Sequence, residues 1–188
     1  MKNNYCVDLK LPVPHPLKDP TVLNQTGYAP EIFFADPSNV NEEFTAWLDQ
    51  HDLVMTYPPL VFYTPPRREC GFHIDGDVIC DRAVMNWIVQ GSGSLMHWYT
   101  LAPDAEITNQ EITQAGTPYT RYTEDHVVHL HSQEVKWPSL VQTGLPHKVT
   151  NYGDESRWCL SCDISLKSNP EAGLTMEQAK EIFKQWII

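Results

Sequence analysis

Between residues 54 and 165 the chain is a succession of short runs rich in β-branched and aromatic residues, separated by Pro, Gly, Asp and Asn. Val54–Tyr63, Gly71–Asp75, Ala83–Val89, Leu95–Leu101, Glu106–Thr113, Tyr119–His131, Lys148–Asn151 and Arg157–Ser165 each have the composition of a strand. The last run alternates. Arg157, Cys159, Ser161, Asp163 and Ser165 share one face, and Trp158, Leu160, Cys162 and Ile164 share the other. One face is therefore polar and the other suited to packing. Two flanking segments carry a helical period instead. Asn41 is placed to cap a helix with Glu42 and Glu43 in its first turn and Phe44, Trp47 and Leu48 on its buried stripe. Thr175-Met176-Glu177-Gln178 is a capping box that opens a segment with Ala179, Ile182, Phe183, Trp186 and Ile187 at helical spacing. The pattern predicts a mainly β fold, a sandwich or barrel of roughly eight strands with a few flanking helices.

Length and composition narrow this further. A chain of 188 residues with 41% hydrophobic side chains fits one domain. Residues 1–53 are expected to form an N-terminal arm and helix, 54–165 the β core, and 166–188 a C-terminal helix. The net charge of -11 makes phosphate backbones and anionic membranes poor partners. No run approaches the ~18 apolar residues of a membrane span. Met1–Cys6 has no apolar run behind its charge, which argues against a secretory signal. Five cysteines, odd and sparse, point to a reducing cytoplasm rather than a disulfide framework. Cys159 and Cys162 form a C-x-x-C inside a strand with no second pair, so both read as small core residues rather than a zinc or redox motif.

The candidate chemistry begins at Phe72-His73-Ile74-Asp75. His and Asp at i and i+2 of a strand project to one side, where an imidazole nitrogen and a carboxylate oxygen can reach one metal. A second feature runs from Gly144 to Arg157. It reads as a hairpin in which the strand holding His147 turns near Gly153 and returns through Arg157, placing Arg157 opposite Thr150. His147 and Arg157 would then lie ~7–10 Å apart at strand rise, the span of a five-carbon dicarboxylate that chelates a metal at one end. A guanidinium suits its far carboxylate, which it grips with two parallel hydrogen bonds. His73, Asp75 and His147 together make a two-His, one-carboxylate set, which occupies one face of an octahedral metal and leaves three positions open.

These residues resemble those of the Fe(II)/2-oxoglutarate-dependent oxygenases on the double-stranded β-helix (jelly-roll) fold. The match rests on His73-x-Asp75, His147 and Arg157, with Val61-Phe62-Tyr63, Ala83-Val84-Met85-Asn86-Trp87, Trp98-Tyr99 and Pro146-His147-x-Val149-Thr150-Asn151 as context. It covers about residues 54–165 and is similar to the small single-domain members, of the aspartyl/asparaginyl hydroxylase-like or phytanoyl-hydroxylase-like kind. The resemblance implies that His73, Asp75 and His147 hold Fe(II), that Arg157 binds the distal carboxylate of 2-oxoglutarate, and that Asn86 helps place it. It implies a hydroxylase: dioxygen and 2-oxoglutarate are consumed, and a small-molecule or amino-acid-like substrate is oxidised. The Asp75 carboxylate favours hydroxylation over halogenation. The competing readings are a cupin-type metalloenzyme that does not use 2-oxoglutarate and a non-catalytic jelly-roll binding module.

Other residues are assigned less. His126, His129 and His131 cluster, with His129 and His131 on one strand face; a solvated or stacked face is the simpler reading than a second metal site. His97 stands beside Trp98, and His15 and His51 read as structural or exposed. Arg67 and Arg68 lead toward the metal strand, either as a rim that attracts an anionic substrate or as a solvated loop. Gly91-Ser92-Gly93-Ser94 reads as a loop or hairpin turn.

Overall fold

The structure is a computed structural model, described here for residues 4–24, 31–105, 109–136 and 138–188. Along the chain the strands are β1 (Cys6–Asp8), β2 (Ile32–Phe34), β3 (Leu53–Met55), β4 (Leu60–Thr64), β5 (Arg68–Glu69), β6 (Phe72–Ile74), β7 (Ala83–Gln90) and β8 (Ser94–Leu101). They continue with β9 (Asn109–Ile112), β10 (Pro118–Tyr122), β11 (Val127–Glu134), β12 (Ser139–Gln142), β13 (His147–Asn151), β14 (Arg157–Cys162) and β15 (Ile164–Leu166). Helix α1 (Glu42–Gln50) precedes β3, and α2 (Met176–Ile182) follows β15.

Most of the strands form two facing antiparallel sheets, a jelly-roll arrangement. The six-stranded sheet is ordered β1-β12-β7-β14-β4-β2; the seven-stranded sheet is β11-β8-β13-β6-β10-β9, with β5 beside β13, and β3 and β15 pair apart from both. Alternation sorts the side chains. On β7, Ala83, Met85, Trp87 and Val89 pack outward with Phe44 and Leu48 of α1 and with Ala179 and Phe183. The intervening Val84 and Ile88 point inward, where they meet Met96 and Trp98 of β8 and Val141 of β12. The helices thus cover the outer face of the six-stranded sheet, and a second core fills the space between sheets.

Both expected caps form. Asn41 accepts from the Glu43 amide, and Thr175 and Gln178 make the reciprocal capping box. Val54–Tyr63 is not one strand. Pro58 and Pro59 interrupt it, leaving β3 and β4 in different sheets. Asp163 similarly divides Arg157–Ser165 into β14 and β15. Tyr119–His131 is broken by a 3-10 turn at Glu124–His126. Of the expected strand Glu106–Thr113, residues 106–108 lie outside the described ones.

The hairpin expected around Gly153 is instead a crossing between the sheets. β13 pairs with β8, β6 and β5, whereas β14 pairs with β4 and β7, so Arg157 stands opposite Thr64 rather than Thr150. The reason lies in Asn151. Its amide donates to the carbonyls of Thr64, Pro65 and Glu155, and its oxygen accepts from Gly153, which ties the chain into a turn out of the sheet. Residues 91–93 make the neighbouring crossing, from β7 to β8. The two crossings touch: a Cβ on Gly91, whose φ is +90, would lie 2.9 Å from Arg157 Cα, and one on Gly153 would lie 2.5 Å from the Ser92 carbonyl. Among the described residues, no helix is long and apolar enough to cross a membrane.

Candidate metal centre

His73 and His147 stand directly opposite each other on β6 and β13, with ring centroids 4.4 Å apart. Each ring is oriented by its own backbone. Nδ1 of His73 lies 2.8 Å from the Gly71 carbonyl, and Nδ1 of His147 lies 2.8 Å from the Leu145 carbonyl. A carbonyl can only accept, so each Nδ1 carries the proton and each Nε2 presents its lone pair. Both Nε2 atoms face Asp75 Oδ1, at 3.6 Å from His73 and 3.9 Å from His147. Asp75 follows β6 and is held by its amide, which donates to the Thr143 carbonyl. Burial above all, with the repulsion a second imidazolium would meet beside His73, holds the His147 imidazole down to about 4.

The three ligand atoms all lie within 4.8 Å of one another. Two neutral imidazoles with fixed tautomers and one carboxylate oxygen fit a divalent first-row metal, because backbone carbonyls supply the orienting outer contacts such sites use.

Arg157 is 3% exposed, on the inner face of β14. Among the described residues no carboxylate lies within 4.0 Å of it, and its Nε has no hydrogen-bond partner. The Cys159 thiol is its neighbour on the same face. Its charge also acts on Cys70, whose sulfur accepts from the Val149 amide. Val149 is two residues along β13 from His147, or ~7 Å at strand rise. Arg157 arrives from the opposite sheet to His73 and His147 and is not among the residues that line the cavity beside them.

Asn86 lies on the inner face of β7, opposite Ser161, and its buried Oδ1 has no partner. Gln90 also has a buried Oε1 without a partner among the described residues, but a register shift sets it opposite Trp158, on the other face from Asn86. The orphaned polar atoms of Asn86 and Arg157 on the inner faces of neighbouring β7 and β14 mark a place for a polar ligand.

A cavity of about 870 Å³ opens against the centre, lined by His73, Asp75, Cys70, Tyr119 and Arg121 among others. Arg67 and Arg68 do not line it. Arg67 instead pairs with Asp154 on the surface, 2.6 Å away. His129 and His131 do not share a face, because the register shifts between them. His129 shares the Ser132 hydroxyl with His97, while His131 stacks on Tyr5. Cys159 and Cys162 are buried on opposite faces of β14 as free thiols. His15 accepts from the Leu17 amide, and His51 bonds the Trp47 carbonyl; both are structural.

No family model and no curated protein matches the chain. Among solved structures it is similar to oxalate decarboxylase from Bacillus subtilis, at 13% identity and a TM-score of 0.36 over 84% of this chain and 30% of that one. A second structure of that enzyme, titled for its Mn(II) centres, matches at 12% and 0.36 over 88% and 33%. E. coli YcfD matches at 12% and 0.31 over 56% and 25%. The chain thus spans about a third or less of each of these. Likenesses this distant do not bear on its chemistry.

Proposed function

We propose that the chain is a non-haem Fe(II)- and 2-oxoglutarate-dependent dioxygenase that hydroxylates a small molecule. The observation that carries the reading is the presence of His73, Asp75 and His147 together with a buried Arg157 that has no carboxylate partner among the described residues. A buried guanidinium without an anion costs several kcal/mol, so its natural complement is an anion brought by a ligand. A metal triad alone accommodates many reactions; a metal triad with a buried anion anchor on the facing sheet narrows them.

His73, Asp75 and His147 would hold the metal, and Fe(II) there would supply the activation of dioxygen. The remaining work falls to the chain. The Gly71 and Leu145 carbonyls fix which nitrogen carries the proton and aim both Nε2 atoms. Arg157 would bind the distal carboxylate of 2-oxoglutarate with its planar fork, with Asn86 beside the cosubstrate. The inter-sheet core around Trp98 closes the inner end of the site to water.

Anaerobic reconstitution with Fe(II) and 2-oxoglutarate tests this, with succinate formed on admitting oxygen as the readout. Succinate at wild-type protein and none at His73→Ala is the expected result. Metal binding without 2-oxoglutarate binding would favour the cupin-type reading instead.

A further inference from the structure

The cavity beside the metal triad has a wall with no part in metal or cosubstrate binding. Ile32 and Phe34 of β2 stand directly opposite Phe62 and Leu60 of β4, and all four line the cavity. Their outward neighbours, Phe33, Val61 and Tyr63, belong to the helix-side core, so alternation alone commits this quartet to the cavity. β2 is the edge of the six-stranded sheet, so the apolar patch continues outward to Tyr57, whose ring lies 6.1 Å from Phe34.

The charges around the cavity are the second observation. Its two arginines are already neutralised: Arg121 pairs with Glu111 at 3.5 Å, and Arg82 pairs with Asp163. Glu31 and Glu171, which also line it, form no ion pair among the described residues. An anionic substrate would meet uncompensated acids and no uncommitted cation, and would lose its hydration for nothing in return. At about 870 Å³ the cavity also has far more room than a five-carbon cosubstrate needs.

We infer that the primary substrate is an uncharged, largely apolar molecule that lies on Ile32, Phe34, Leu60 and Phe62 while its reacting carbon faces His73 and Asp75. Free amino acids and carboxylates are disfavoured. This rests on the proposed function only for what happens to that carbon; the ligand class stands on the wall and its charges.

The test uses three probes with one skeleton, 3-phenylpropan-1-ol, 3-phenylpropanoate and 3-phenylpropan-1-amine. Each is titrated into the Zn(II)-loaded full chain, with and without saturating 2-oxoglutarate, by ligand-observed NMR. The alcohol is expected to bind about tenfold or more tightly than the carboxylate, and Phe62→Ser and Leu60→Ser each to weaken the alcohol about fivefold, as lost apolar burial dictates. Circular dichroism confirms that each variant is folded. The inference is overturned if the carboxylate or the amine binds as tightly as the alcohol, if both folded variants bind the alcohol like wild type, or if none of the probes binds. Binding of 2-oxoglutarate is read separately. Its absence would refute the oxygenase reading, while the ratio of alcohol to carboxylate still decides this one.

Discussion

Replacing Arg157 by Met should change stability and binding in opposite directions. The guanidinium is 3% exposed and, among the described residues, has no carboxylate within 4.0 Å and no partner for its Nε. A buried unsatisfied donor costs about 1–3 kcal/mol, more when charged, and exchange of buried charge for an apolar side chain of similar length is often stabilising. Loss of the Cys159 contact offsets part of this. The net expectation is a gain of about 1–2 kcal/mol, or roughly 2–8 °C in Tm for a chain of this size. With the metal bound, 2-oxoglutarate loses two charge-assisted hydrogen bonds worth about 1.5 kcal/mol or more each, which weakens its Kd about a hundredfold. Calorimetric melting of the ligand-free protein and anaerobic titration with 2-oxoglutarate measure the two effects. A variant that melts several degrees lower and binds 2-oxoglutarate like wild type would refute the reasoning, since Arg157 would then be structural.

The pH dependence of the metal-free protein follows from His147, whose value is lowered from 6.5 to about 4 in the folded state. The unfolded chain takes up the proton first, so stability is complete above pH 6.5 and falls through the window down to 4, by about 3 kcal/mol at its end. Urea unfolding at pH 7 and pH 4 should show this loss shrinking in His147→Gln. Asp75→Ala should abolish the metal-dependent rise in Tm, which for an intact site at a hundred times Kd is about 2.7 kcal/mol. Asn151→Ala removes three donated bonds at the β13–β14 crossing and should cost about 2–4 kcal/mol in chemical denaturation, with weaker 2-oxoglutarate binding as Arg157 shifts. Phe44→Ala, which empties a fully buried site between α1 and β7, should cost about 3–5 kcal/mol by the same assay and leave 2-oxoglutarate affinity unchanged.

What was legible from the sequence is what local geometry dictates. Two-residue periodicity put Arg157, Cys159 and Ser161 on one face and Trp158, Leu160 and Cys162 on the other, because successive side chains on a strand must alternate. It also put His73 and Asp75 on one side, and the caps at Asn41 and Thr175 followed from side chains that satisfy amides two or three residues away. What only the tertiary structure decided is which strand lies beside which. Whether β13 and β14 form a hairpin depends on Asn151 binding the carbonyls of Thr64 and Pro65, residues far away in the chain, and no local pattern shows that contact. The same holds for the bulge that separates His129 from His131, and for Asp163, after which the chain leaves one sheet for another. The apolar quartet beside the metal belongs to this class too: its members are ordinary strand residues until pairing of β2 with β4 makes them a wall. Alternation is a property of a single strand, whereas register and sheet membership are settled by long-range hydrogen bonds and by which faces can be buried together.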